Sequence, residues 1–313
     1  MQLRARAGLA VTVGAALALA LTACGSSGSS KLPGSSSSGG NSYDAIIKAA
    51  PVADSSLITP NSWMAKIKQR GYLKVGGTDT GPLFSIKDPN TGKLTGFDAG
   101  LSQMLARYIT GKDSDLTKLS ITSVDTRETM LQNGTVDTVF ATYTITPARA
   151  QKVAFAGPYY QSGDAIMVKK GNSSITKVSD LNGKNVVTES NSTAALSLKK
   201  YAPQAKVTLL QEDASCVAAV QQGRADAYVL DQGILISDAS TNSAVKVVGQ
   251  PFTQEPYGIG LPHGDAAAKK FVNDWLQKIF DDGEWAKLWK ATIGTVVSGD
   301  APKPPTIGSV PGS

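Results

Sequence analysis

Between Thr138 and Tyr160 the chain reads TVFATYTITPARAQKVAFAGPYY, a run rich in groups that hold an anion. Its apolar, β-branched start predicts a buried strand end. Thr142, Thr144 and Thr146 then set three hydroxyls around Tyr143 and Ile145. Pro147 follows, suited to the first turn of a helix, and Arg149 comes two residues later. Hydroxyls, free backbone N–H groups and one guanidinium fork are what a carboxylate needs. The loop reads as a clamp for the α-carboxylate of an amino acid. The same letters also fit a plain strand, turn and surface arginine.

Other residues extend this chemistry. The run Ala225–Asp231 is a strand that ends in a carboxylate, and ligands of open α/β sheets sit beyond such ends. Asp231 is therefore a partner for an ammonium group. Glu189–Thr193 is a polar loop opening a helix, which puts Ser192 and Thr193 at an anion-favouring helix N-terminus. Asp79 and Phe84 flank a glycine-rich turn. Phe84 suits the aliphatic part of a ligand and Asp79 an ammonium group, although a core phenylalanine and a turn aspartate read equally well. Arg127 starts a helix, where it either meets a side-chain carboxylate in a cleft or serves as a cap or surface pair.

The remaining composition excludes more than it suggests. The single histidine, His263, lies in a Leu-Pro-His-Gly turn, and the two cysteines, Cys24 and Cys216, form no cluster with it. No metal site, phosphate loop, cofactor motif or Ser-His-Asp set is readable. Glu189 is the one unassigned carboxylate that could stand near a cleft as a general acid or base, and a surface position is expected for it instead. Net charge is +6, yet the basic residues are scattered and aromatics make up 6%. That pattern excludes a nucleic-acid stripe.

The N-terminus directs the chain. Arg4 and Arg6 precede the uncharged apolar run Ala7–Thr22, too short for a comfortable span, and Leu21-Thr22-Ala23-Cys24-Gly25 resembles a bacterial lipobox. The resemblance implies cleavage after residue 23 and lipidation of Cys24. Residues 24–43, almost all Ser, Gly, Asn and Pro, form a flexible tether. A body held by a lipid at the outer face of the cell membrane is expected.

The elements that must position the site follow in order. Asn61 or Ser62 caps a helix from Trp63 to Gln69, closed by Gly71, and a strand leads into the Gly76-Gly77 loop. Asp88–Lys93 is a hairpin turn, Ala99–Tyr108 a helix, and strands near 119–124 and 136–141 enclose a helix ending at Asn133-Gly134. A second strand–helix series covers 185–231. This alternation predicts parallel α/β sheets. Ala266–Lys290 is amphipathic, and residues 298–313 are expected to fray.

Six segments occur in an order that resembles the family 3 extracellular solute-binding proteins. They are GYLKVG from Gly71, LTGFD from Leu94, GTVD from Gly134, TITPAR from Thr144, FAGPYY from Phe155 and GRADA from Gly223. Ala141-Thr142-Tyr143 and Phe155–Pro158 look most like the actinobacterial glutamate-binding branch. The resemblance implies a two-lobed α/β fold with a two-strand hinge, lobe 1 spanning 61–164 plus 257–297 and lobe 2 spanning 165–256, with the ligand in the cleft. It implies that Arg149 and Thr144 hold the α-carboxylate, joined by Ser192 and Thr193, that Asp231 takes the ammonium, and that Asp79, Phe84 and the backbone at Thr142 line the pocket. The expected ligand is glutamate, aspartate, glutamine or asparagine. The expected partner of a monomer is an ABC transporter permease, with a membrane sensor protein as the alternative and a dehydratase on the same fold a more distant one. Val187 stands where glutamate-binding relatives often carry a cysteine, so Cys216 is expected to be a free, buried thiol.

Overall fold

The structure, a computed structural model, describes residues 42–313; the signal segment, Cys24 and most of the tether lie outside the described residues. Helices α1 (Tyr43–Ala49) and α2 (Trp63–Arg70) lead into strand β1 (Leu73–Gly77). Ser62 is the cap of α2, its Oγ accepting the Ala65 N–H at 3.1 Å. Gly71 ends the helix at φ 81°, where any side chain is strained. The tether expected to run to residue 43 stops earlier, because Tyr43 is buried and its hydroxyl donates to Gly96 O at 3.2 Å.

A small antiparallel sheet follows, built from β2 (Thr80–Gly81), β3 (Ser85–Lys87) and β4 (Leu94–Thr95). Its turn is closed by Asp88, whose Oδ1 accepts from Asn90 N–H and Thr91 N–H. Next come α3 (Phe97–Thr110), β5 (Thr117–Ile121), α4 (Arg127–Gln132), β6 (Thr138–Val139), α5 (Pro147–Ala150) and β7 (Ala154–Ser162). The second series contains β8 (Asp164–Lys169), β9 (Asn185–Glu189), α6 (Thr193–Tyr201), β10 (Lys206–Leu210), α7 (Asp213–Gln221), β11 (Ala227–Asp231), α8 (Gln232–Thr241) and β12 (Val245–Val248). The chain returns through β13 (Glu255–Leu261), α9 (Ala266–Asp281) and α10 (Glu284–Ala291).

These strands form two five-stranded sheets, ordered β5-β1-β6-β13-β7 and β10-β9-β11-β8-β12. In each, three strands are parallel and the returning strand is antiparallel. Each sheet has its own apolar core. Phe97, Leu101, Trp275, Trp285 and Trp289 belong to that of the first lobe, and Val186, Leu198, Val220 and Leu230 to that of the second. Burial of this kind contributes roughly 1.5–3 kcal/mol per large apolar side chain. Cys216 is a free thiol in the second core, pushed up to about 12 chiefly by burial, so it is unreactive there.

Two crossings join the lobes: β7 runs through Gly163 into β8, and residues 249–254 lead from β12 back to β13. The crossings touch. A side chain at Gly163 would sit 2.3 Å from Thr253 O and 2.9 Å from Pro251 Cβ, so only glycine fits.

Residues 298–313 differ from expectation. They form no helix or strand, yet Ile307 and Ala301 pack against the first-lobe core and Gly308 N–H donates to Gly157 O at 2.9 Å. Their prolines and glycines preclude regular structure, but not docking by scattered apolar side chains.

Candidate functional site

The clamp segment comes off the carboxyl end of β6, the central strand of the first sheet. Ala141 and Tyr143 bury inward, while Thr142 takes φ 44°, a left-handed conformation that a β-branched residue rarely adopts. Asp98, in the first turn of α3, holds this turn in place. Its Oδ2 accepts Thr142 N–H at 2.8 Å and its Oδ1 accepts the Tyr159 hydroxyl at 2.8 Å. Burial pushes the Asp98 carboxyl up to about 7.

Thr144 is buried, and its carbonyl accepts Arg149 Nη1–H at 2.9 Å. Thr146 caps α5, with Pro147 in its first turn, as the spacing predicts. Arg149 is not a surface residue. It is 9% exposed, and its Nη2 crosses to the second lobe to donate to Asn191 O at 3.2 Å.

Arg127 is buried too. Its guanidinium stacks 3.8 Å from the Tyr143 ring centroid, and its Nη1 donates to Ala141 O at 3.2 Å. The Arg149 guanidinium lies 5.3 Å from the same centroid, so one ring carries both cations. Burial, then Arg149, lower the Arg127 pKa to about 10, so this end of the cleft disfavours cations and favours an anion.

Opposite, Asp231 ends β11 and is 5% exposed, with Oδ1 lacking any partner. Burial, then Asp164 and Glu255, push its carboxyl well above the ordinary range, and Arg149 pulls it back. An ammonium group would supply the missing counter-charge. Ser192 caps α6, its Oγ accepting Ala195 N–H at 3.2 Å, and Thr193 is the first residue of that helix.

These side chains meet in an interlobe cavity of two adjoining halves, which share Arg127, Thr142 and Glu189 among their lining residues. The inner half is lined by Arg127, Thr142, Thr144, Arg149, Ser192, Thr193 and Asp231, among others. Phe84 lines the outer half, of about 110 Å³, and packs edge-on against Tyr160 and Tyr257. Asp79 does not join them. Thr78 and Thr80 line the outer half, and Asp79, at the bend between them, lines neither half.

Several lining groups were not anticipated. Glu189 is partly buried and lines both halves instead of lying at the surface, while Glu212, Asp213 and Asp238 line the outer half. Glu189 ends β9, and Glu212 and Asp213 follow β10, so the strand-end rule that marked Asp231 also applied to them. Asp238 reaches the cavity from the helical face it shares with Ile234 and Ser237, which no strand-end rule covers. The lobes also meet outside the cavity. Leu83 N–H donates to Ser237 Oγ at 3.0 Å, Ser190 Oγ donates to Asp125 at 3.2 Å, and Asn191 Nδ2 donates to the same carboxylate. The cleft is therefore shut.

Comparison with known proteins agrees with this architecture. The chain is 35% identical over 231 residues to the ABC transporter glutamine-binding protein of Bacillus subtilis, covering 74% of this chain and 84% of that one. It is 30% identical over 236 residues to a glutamate-binding protein of Corynebacterium efficiens, covering 72% and 80%. An ancestral arginine-binding protein solved with glutamine bound superposes with a TM-score of 0.66 at 36% identity, covering 72% of this chain and 99% of that one. The model of the bacterial extracellular solute-binding proteins, family 3, matches residues 73–295, and the chain belongs to that family.

Proposed function

We propose that the protein captures a free polar L-amino acid outside the cytoplasm and delivers it to the permease of an ABC transporter. One observation supports this reading: Arg149 of the first lobe and Asp231 of the second line one interlobe cavity, both buried, with Asp231 Oδ1 lacking a partner. An α-carboxylate against Arg149 and the N-terminus of α6, with an α-ammonium against Asp231, satisfies both at once. Because the two partners lie on different lobes, the ligand binds the closed form better than the open one, which is what shifts the population toward closure. Glutamine and glutamate, named for the relatives, carry this zwitterionic head group. Binding at this level requires no bond to be made or broken, and the named relatives are binding proteins.

Lipidation at Cys24 would keep the monomer at the outer face of the membrane, within reach of the permease. Calorimetric titration of the purified protein against the twenty amino acids tests the proposal. At least one polar amino acid is expected to bind with a 1:1 stoichiometry and a Kd near or below about 1 μM, an affinity of about −8 kcal/mol. Absence of binding by all twenty would refute it.

A further inference from the structure

The outer half of the cavity is where the side chain of a bound amino acid would lie, since the head-group partners line the inner half. Its wall on the second lobe carries four carboxylates: Glu189, Glu212, Asp213 and Asp238. Glu189, Asp213 and Asp238 are partly buried, and Glu212 sits exposed at the rim. The first lobe answers with the neutral hydroxyls of Thr78, Thr80, Thr122 and Ser123. The one cation, Arg127, stands at the junction of the two halves, already stacked on Tyr143 and bonded to Ala141 O.

The four carboxylates are poorly compensated. Tyr228 donates to Asp213 Oδ1 at 2.8 Å, but Asp238 Oδ2 is buried without a partner. Burial and then Asp213 push Asp238 up to about 9, and burial and then Asp213 push Glu189 up to about 7. In the ligand-free form protons meet part of this charge, with Asp238 and Asp213 close enough to share one, and a cationic guest would take their place.

We infer that the preferred guest is an amino acid with a cationic side chain, whose guanidinium or ammonium group enters the outer half against Glu189, Asp213 and Asp238. This rests on the amino-acid capture proposed above and assigns its substrate class. A side-chain carboxylate in the same place would face like charges from one wall, while Arg127 is held at the far end. A carboxamide could donate to one carboxylate but would leave the others uncompensated. Phe84, on the floor of this half, offers an apolar face to the methylene stem that precedes the charge in arginine and lysine.

Competition calorimetry on the purified protein with arginine, lysine, glutamine and glutamate tests this directly. Arginine or lysine is expected to bind about tenfold or more tightly than glutamine, and glutamate more weakly than glutamine. Glutamine or glutamate binding ahead of both cationic amino acids overturns the inference while leaving amino-acid capture intact; no binding by any of the four overturns this inference outright. Two variants, Asp238→Asn and Glu189→Gln, give a second readout. The ratio of the arginine Kd to the glutamine Kd should rise about tenfold in each. A ratio takes out any loss common to both ligands, so a general weakening of the fold cannot produce it. An unchanged ratio in both variants overturns the assignment.

Discussion

The role proposed for Arg149 rests on a short stretch of chain. A guanidinium two residues after a proline and close behind three threonines is an anion-binding arrangement, and the fold buries it at the mouth of α5 with its fork divided between Thr144 O and Asn191 O. On the proposed function, replacing Arg149 with Ala removes the partner of the ligand's α-carboxylate and takes this donor from both carbonyls. Amino-acid affinity should fall by about 2–5 kcal/mol, the usual cost of cutting one half of a buried charge pair. Titration checks this, and a Kd within about threefold of the parent would remove Arg149 from the site. Asp231 was readable for a similar reason, because its position depends only on where a strand ends. Asp79 was less readable. Its place along the chain next to the cleft is right, but which way a residue in the bend between β1 and β2 faces is set by the turn's conformation, which no local signal here specifies. Glu189 was legible in place and misjudged in exposure, since burial of a carboxylate depends on how the other lobe closes over it.

At the scale of elements, α8 and the turn before β3 meet closely across the two lobes. Gly233, in the first turn of α8, lies so close to Phe84 that a Cβ there would meet Phe84 Cζ at 2.9 Å. Gly233→Val should hold the lobes apart while each sheet keeps its own core. The expected result is a loss of affinity of about tenfold or more, about 1.4 kcal/mol, with little change in far-ultraviolet circular dichroism. Small-angle scattering should lose the ligand-dependent compaction expected of the parent; compaction and affinity like the parent's would show that this contact does not limit closure. Helices and strands with strong local signals were largely legible: Ser62 and Gly71 bracket α2, and the cap at Thr146 was marked by Pro147. What could not be read locally was the pairing of β13 with both β6 and β7, a contact between segments about one hundred residues apart.

For the molecule as a whole, buried carboxylates set the response to pH. Asp98 and Asp164 are each pushed up to about 7 by burial, Asp164 also by Glu255, and Glu189 reaches about 7 as well. Their folded-state values lie above those of the unfolded chain. The folded form therefore takes up protons that the unfolded form does not as pH falls from about 7 toward 4, and stability rises over that window. The ligand-free protein should melt at a higher temperature near pH 5 than near pH 8, as scanning calorimetry would reveal; a lower midpoint near pH 5 would contradict these burial effects. The two-lobed division was readable from the repeated strand–helix alternation, whereas the docking of residues 298–313 was not, because scattered Ile307 and Ala301 contacts carry no periodicity. The distribution of aromatic residues has a practical consequence. All four tryptophans, Trp63, Trp275, Trp285 and Trp289, pack in or against the first-lobe core, and none lies in the second. Native indole emission therefore reports on one half of the molecule alone. An optical sensor of closure would need its dye on the other half, for instance on the exposed side chain of Leu196 in α6.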